Sequence, residues 1–351
     1  MRTNIPALLG LATLSTALPS KFHPGPGHPH DDPPSTQPSD FSLVGYGKEN
    51  PLGETTGGEG GPTTTVSSLS ALQTAVEGDE PAVVYVEGEF ELEDSVSIGS
   101  NKSLIGAGKG AKFSGGGLSI SGVENVVVRN VKIEFVEGGD AIAISDSRRV
   151  WIDHNEFESD LDGGPDFYDG QLDITDASDW ITVSWNHFHD HWKSSLVGNS
   201  DTNHDVDFGH LHITYHHNFW QHEGTRGPAG RFGHQHIYNN LYEDFLYQAI
   251  HSRSDNQVLV EGNVFRGNTS EALSTYGLVI PEDSPNTSPD GDYEIDGFAN
   301  LGAENDWGTA GVNITQEGDF TSVEYNYTLT PLKLVEDYVR GGVGLGKILL
   351  E

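Results

Sequence analysis

Six segments of this chain share one pattern: a β-branched run, an asparagine, then an apolar or aromatic residue. They read VVVRNVKI, VWIDHNEF, WITVSWNHF, LHITYHHNFW, HQHIYNNLY and QVLVEGNVF. Their asparagines are Asn130, Asn155, Asn186, Asn218, Asn240 and Asn263, spaced by 25, 31, 32, 22 and 23 residues. A recurrence of this length is the coil period of a solenoid. Helix signals between the runs are scarce, which argues against a βαβ fold with crossover helices. The expected fold is therefore all-β: a single-stranded right-handed parallel β-helix. Each coil contributes short strands that pair with the coils before and after, and inward Val, Ile, Leu and Phe stack into one core. Asparagine tolerates left-handed backbone angles and bonds its own backbone, so it suits a recurring bend. Stacked asparagine side chains can also hydrogen-bond from coil to coil.

A solenoid exposes core and strand edges at its ends, so both ends need covering. In SSLSALQTAVE, residues 67–77, Leu69, Leu72 and Val76 share one helical face, with Ser67 or Ser68 placed as N-cap. This predicts an N-terminal capping helix. PLKLVEDYVR, residues 331–340, starts on Pro331 and sets Leu334, Val335 and Tyr338 at helical spacing. That second helix is expected near the C-terminal end. Residues 280–310, rich in Asp, Pro, Gly and Asn, read as a long loop excursion, and long loops are expected to form a substrate groove.

Charge narrows the function. Among 351 residues there are 53 Asp and Glu but only 18 Lys and Arg, for a net charge of -35. Such a chain repels itself in dilute buffer, and salt screens the repulsion, so the composition fits a halophilic protein. No basic stripe exists to neutralise phosphates, which excludes nucleic acid as a partner. Cysteine is absent, so disulfides, thiolate metal sites and a cysteine nucleophile are excluded. Residues 1–18 carry Arg2 before a short leucine-rich run and resemble a secretory signal peptide, which points to a secreted, extracellular protein. Residues 19–40, rich in Pro, His and Asp, read as a flexible linker, leaving 41–351 as the folded domain. No other segment is apolar enough to span a membrane, and a solenoid with covered ends can remain a monomer.

Against this scarcity of cations, HDHWKSSLVG (189–198) and RGPAGRFG (226–233) together place Lys193, Arg226 and Arg231 beside carboxylate-rich segments. The combination suggests an anionic substrate held through a divalent metal.

Over residues 41–351 the chain resembles the pectate lyases of polysaccharide lyase family 1. The resemblance is carried by TTGGEGG (55–61), NKSLIGAG (101–108), DAIAIS and VWIDHNEF (140–157), YDGQLDITDASDWITVSWNHFHDHWKSSLVG (168–198) and TRGPAGRFGHQHIYNN (225–240). It implies a parallel β-helix with a groove on one outer face. It also implies calcium-dependent eliminative cleavage of de-esterified homogalacturonan, leaving oligosaccharides with unsaturated non-reducing ends. By the same resemblance Asp140, Asp169 and Asp173 are calcium ligands, Arg226 is the base, and Lys193 and Arg231 bind substrate carboxylates. Calcium takes six to eight hard oxygens, and three carboxylates supply part of that shell. Some relatives carry a further acid where this chain has Gly138. An arginine base conflicts with the ordinary guanidinium pKa, and crowding by cations is expected to lower it. Arg253 is placed as an extension of the groove. His187, His189 and His191 alternate as a zinc-binding strand would, but they fall within segments similar to the family's strands and are read as structural. Other readings of the same residues are a lyase on pectin or another uronate polymer, and a noncatalytic glycan-binding β-helix. Hydrolysis by paired carboxylates is opposed by the Lys193, Arg226 and Arg231 set.

Overall fold

Strand order defines the architecture. In the computed structural model, which describes residues 40–284 and 288–348, three long sheets of ten, nine and eight strands each take about every third strand of the chain. Pairing between successive coils is parallel and in register. That is a parallel β-helix, as the repeat predicts. The signal-peptide and linker expectations fall outside the described residues, apart from Asp40.

Alternation along the strands explains the core. In Val131–Glu134 and Ile142–Ser145 every second residue is buried, because side chains on a strand alternate between faces. Register then aligns the buried ones from coil to coil. Val128, Ile152, Val183, Tyr215, Ile237 and Val260 form one fully buried column in the ten-stranded sheet. In the eight-stranded sheet Phe157, Phe188, Trp220, Tyr242 and Phe265 stack face to face, with successive centroids 4.8, 4.1, 6.0 and 4.4 Å apart.

The asparagine ladder is real, but its register differs from the sequence reading. Each of Asn155, Asn186, Asn218 and Asn240 donates both its backbone N–H and its side-chain Nδ2 to the Oδ1 of the next, ending at Asn263, which donates to Asn305. The left-handed residue is the one before each asparagine: His154, Trp185, His217, Asn239 and Gly262. Asn130 is itself left-handed, at φ 58°, and belongs to that preceding position. Val131 takes the ladder position in its coil, its N–H donating to Asn155 Oδ1. The bend and the ladder are thus two adjacent positions with different physical tasks.

Among the described residues, three helices accompany the strands: α1 (Leu69–Val76), α2 (His204–Asp207) and α3 (Leu332–Gly342). The Ser68 hydroxyl accepts the Ala71 N–H at the start of α1, and Leu72 and Val76 are fully buried against the first strands. As expected, α3 packs near the C-terminal end, on the last strands of the eight-stranded sheet, Leu241–Glu243 and Val264–Arg266. It lies along the flank of the coils, where Val335 and Val339 pack with Trp185, Phe219, Leu241 and Val264. Phe219, Leu241 and Val264 each follow a ladder asparagine and point outward, so they form an apolar strip that this helix covers. The segment read as a loop excursion also carries strands: Asp292–Tyr293 pairs with Leu278–Val279 as a small antiparallel hairpin, and Phe298–Leu301 joins the ten-stranded sheet.

Candidate active site

The predicted site residues sit on consecutive coils, close to the nine-stranded sheet. Asp140 precedes the strand Ile142–Ser145, and Asp169 precedes Leu172–Thr175, which carries Asp173 on its outer face. Lys193 ends the strand His187–Lys193 of the next coil, paired with Thr225 one coil on, immediately before Arg226. Neighbouring coils are about 4.8 Å apart, so residues up to 86 positions apart in sequence meet in one cleft. It has a volume of about 620 Å³, and Asp140, Asp169, Asp173, Lys193 and Arg226 all line it.

Asp140 and Asp173 converge on the bare Cα of Gly170. Asp140 Oδ1 accepts the Gly170 N–H at 2.9 Å, and Asp173 Oδ1 accepts the Leu196 N–H at 2.9 Å. A Cβ on residue 170 would lie 2.8 and 2.4 Å from those two oxygens. Burial, together with the neighbouring Asp169 charge, pushes the Asp140 carboxyl up to about 6. Burial and the Asp140 charge raise Asp173 well above the usual carboxylate range. A buried acid and a half-buried one brought together at the same glycine suit a divalent cation with hard-oxygen preference. Asp169 is less closely engaged: its Oδ1 lies 3.2 Å from Lys193 Nζ, and Asp166 approaches the same ammonium at 3.4 Å. Gly138 lines the cleft with open space where a side chain would be. A second acidic group, Glu156, Glu158 and His189, could also hold a metal by proximity. Lys132 already fills that role: its Nζ is 2.9 Å from Glu156 Oε1 and contacts Glu158.

The arginines differ from expectation. Arg226, only 6% exposed, donates from Nε to Asp283 Oδ1 at 2.6 Å and from Nη2 to the Asp283 carbonyl, while Nη1 is 4.0 Å from Asp173 Oδ2. Burial works to lower its pKa, but the Asp283 and Asp173 carboxylates outweigh burial and hold it above the ordinary guanidinium value. Its protein neighbours thus raise the guanidinium pKa rather than lower it. Arg231 stands outside the main cleft, in an adjoining hollow. Glu294 grips its Nε and Nη2 at 2.9 and 2.6 Å, and Nη1 donates to the carbonyls of Gly198 and Asn199. Arg253 is wholly buried and does not extend the groove.

Asp283 and Glu294 had no signal in the sequence, because both lie in the segment read as loop, among 53 acids with no local pattern. His191 also has a task there: its Nε2 donates to the Asp169 carbonyl at 2.8 Å, and its Nδ1 accepts from Ser159. The left-handed Asp190 kinks the strand, so His191 separates from His187 and His189, which stack on each other at 4.3 Å. The three histidines do not converge on a zinc site. Asp153 is fully buried and bonds Arg129, His154 and Ser184, so its role is structural.

Comparison with known proteins fixes the family. The pectate lyase profile matches residues 40–347. The chain belongs to the pectate lyase family. Pectate lyase A of Emericella nidulans is 44% identical over 306 residues, covering 86% of each chain. A probable pectate lyase B of Aspergillus flavus is 40% identical over 299 residues, 82% of this chain and 90% of its own. Among solved structures, a Bacillus sp. N165 pectate lyase in complex with trigalacturonate superposes with a TM-score of 0.71 at 30% identity, covering 87% of this chain and 99% of that one. The chain is thus an enzyme, a lyase acting on pectate, and its β-helix is the fold of its structural relatives.

Proposed function

We propose that this pectate lyase is a secreted, calcium-dependent enzyme that cleaves de-esterified homogalacturonan by β-elimination. The observation that carries the reading is the convergence of Asp140 and Asp173 on Gly170 in the cleft that Lys193 and Arg226 line. The solved relative bound to trigalacturonate supports a uronate substrate.

Asp140 and Asp173, joined by Asp169, are the residues that would hold calcium. Bound there, the ion would draw electron density from a substrate carboxylate and make the adjacent C5 proton more acidic. Arg226 is positioned as the base that takes this proton. The C5–H electrons form the C4=C5 double bond as the C4–O4 bond breaks, and O4 leaves with its electron pair and takes a proton from water. Lys193 offers a point charge to a substrate carboxylate and releases Asp169 as it does so. Arg231 contributes positive charge from the adjoining hollow. Because Asp283 holds Arg226 charged, proton abstraction is favoured at alkaline pH.

The test is ultraviolet absorbance during incubation with polygalacturonate at alkaline pH, with calcium or with chelator. A calcium-dependent rise is expected, reduced about 10³-fold in Arg226→Ala, as for loss of a positioned base. Cleavage with no unsaturated product would mean hydrolysis. No cleavage by folded protein would redirect attention to other uronate polymers or to glycan binding.

A further inference from the structure

We infer that Asp283 is a positioning residue for Arg226, braced from behind by Arg253; this rests on the elimination reading above. Asp283 sits between the two strands of the hairpin that leaves the coils after Glu271–Ser274. It is 1% exposed and joins two buried arginines. Its Oδ1 accepts from Arg226 Nε at 2.6 Å, its backbone carbonyl accepts from Arg226 Nη2, and its Oδ2 accepts from Arg253 Nη1. Arg253 continues the alternation, with Nε 3.4 Å from Glu294 Oε2. The result is a line of charges, Arg226, Asp283, Arg253, Glu294 and Arg231, beneath and beside the cleft.

Geometry gives this line a purpose. Two of the three Arg226 nitrogens are pinned by one residue, so the plane of the guanidinium is fixed. The remaining nitrogen, Nη1, is the one turned toward Asp173. A guanidinium free to rotate would not keep that atom aimed at the carbon that loses its proton. Stability alone is a poor explanation, because buried ion pairs are often no better than packed apolar residues of the same volume. Arg253 has no route to the cleft of its own; its contact with the reaction runs through Asp283.

The experiment compares steady-state kinetics on polygalacturonate, calcium present, for wild type, Asp283→Asn and Asp283→Glu, with circular dichroism as the check on folding. If the wild type yields no unsaturated product, the functional reading itself fails. If it does, Asp283→Asn is expected to lose about 100-fold in kcat, the scale of a roughly 1 Å misplacement, with KM within about threefold. Asp283→Glu keeps the charge but moves it by one methylene, so its kcat should fall between the two. A folded Asp283→Asn enzyme with wild-type kcat overturns the inference, as does activity lost only in proportion to folded protein. Should Asp283→Asn not fold, Asp283→Glu decides alone: a wild-type kcat overturns the inference, and a drop of about tenfold at unchanged KM upholds it.

Discussion

A Cβ on residue 170 would lie 2.4 Å from Asp173 Oδ1 and 2.8 Å from Asp140 Oδ1. Gly170 has no left-handed backbone angle, so alanine is compatible with the chain there, and the nearest clashes are with the two carboxylates. Gly170→Ala is therefore expected to fold with a melting temperature close to wild type. It should need at least tenfold more calcium for half-maximal activity, since one misplaced ligand weakens a site of this kind by roughly 10–100-fold. A calcium titration of activity and of thermal stability checks both halves. The six predicted residues were legible as types in a family pattern. Their partners were not: nothing near Arg226 in sequence announces that Asp283 lies against it.

At the scale of elements, the asparagine ladder has the clearest energetic content. Asn218 is fully buried; its Oδ1 accepts both the backbone and side-chain N–H of Asn186, and its Nδ2 donates to the Val183 carbonyl. Asn218→Ala removes those bonds, although the Asn186 Nδ2 keeps its bond to the Ile152 carbonyl; at about 1–3 kcal/mol per buried group left unsatisfied, a loss of about 3 kcal/mol is expected in urea denaturation. Asn305 ends the ladder and is only partly buried. Asn305→Ala should cost about 1 kcal/mol, because water can replace it. Equal losses at the two positions would contradict the ladder account. The repeat itself was visible because coil stacking demands the same residue type at every turn. The one-residue offset between bend and ladder was hidden, because Asn130 and Asn239 can serve the bend as well as the ladder asparagines serve theirs.

For the whole molecule, charge and buried histidine set the solution behaviour. A net charge of -35 predicts a melting temperature that rises with added sodium chloride until screening is complete. Acid acts through different groups. Burial lowers His217 to about 3, and His191 and His251 to about 4. The unfolded chain takes up protons near the ordinary value of 6.5, while these folded histidines remain neutral. The contribution of these histidines is therefore full above about pH 6.5 and is lost as pH falls toward 4, by several kcal/mol in all. His189 opposes this trend, because Glu156 and Asp190 raise its pKa against burial, and so do Asp140 and Asp173, whose raised carboxyls take up protons in the folded state. Urea midpoints at successive pH values between 7 and 4 test the sign; a midpoint that holds or rises would refute it.

The sequence alone determined the period, the class of fold and the first helix, because each depends on residue type at short or regular spacing. Only the tertiary structure placed α3 along the flank, buried Arg253 and Asp153, and set Asp283 against Arg226. Those outcomes depend on which surfaces meet after the coils have stacked. In a chain with 53 acids, local pattern carries no information about which carboxylate a buried arginine will find.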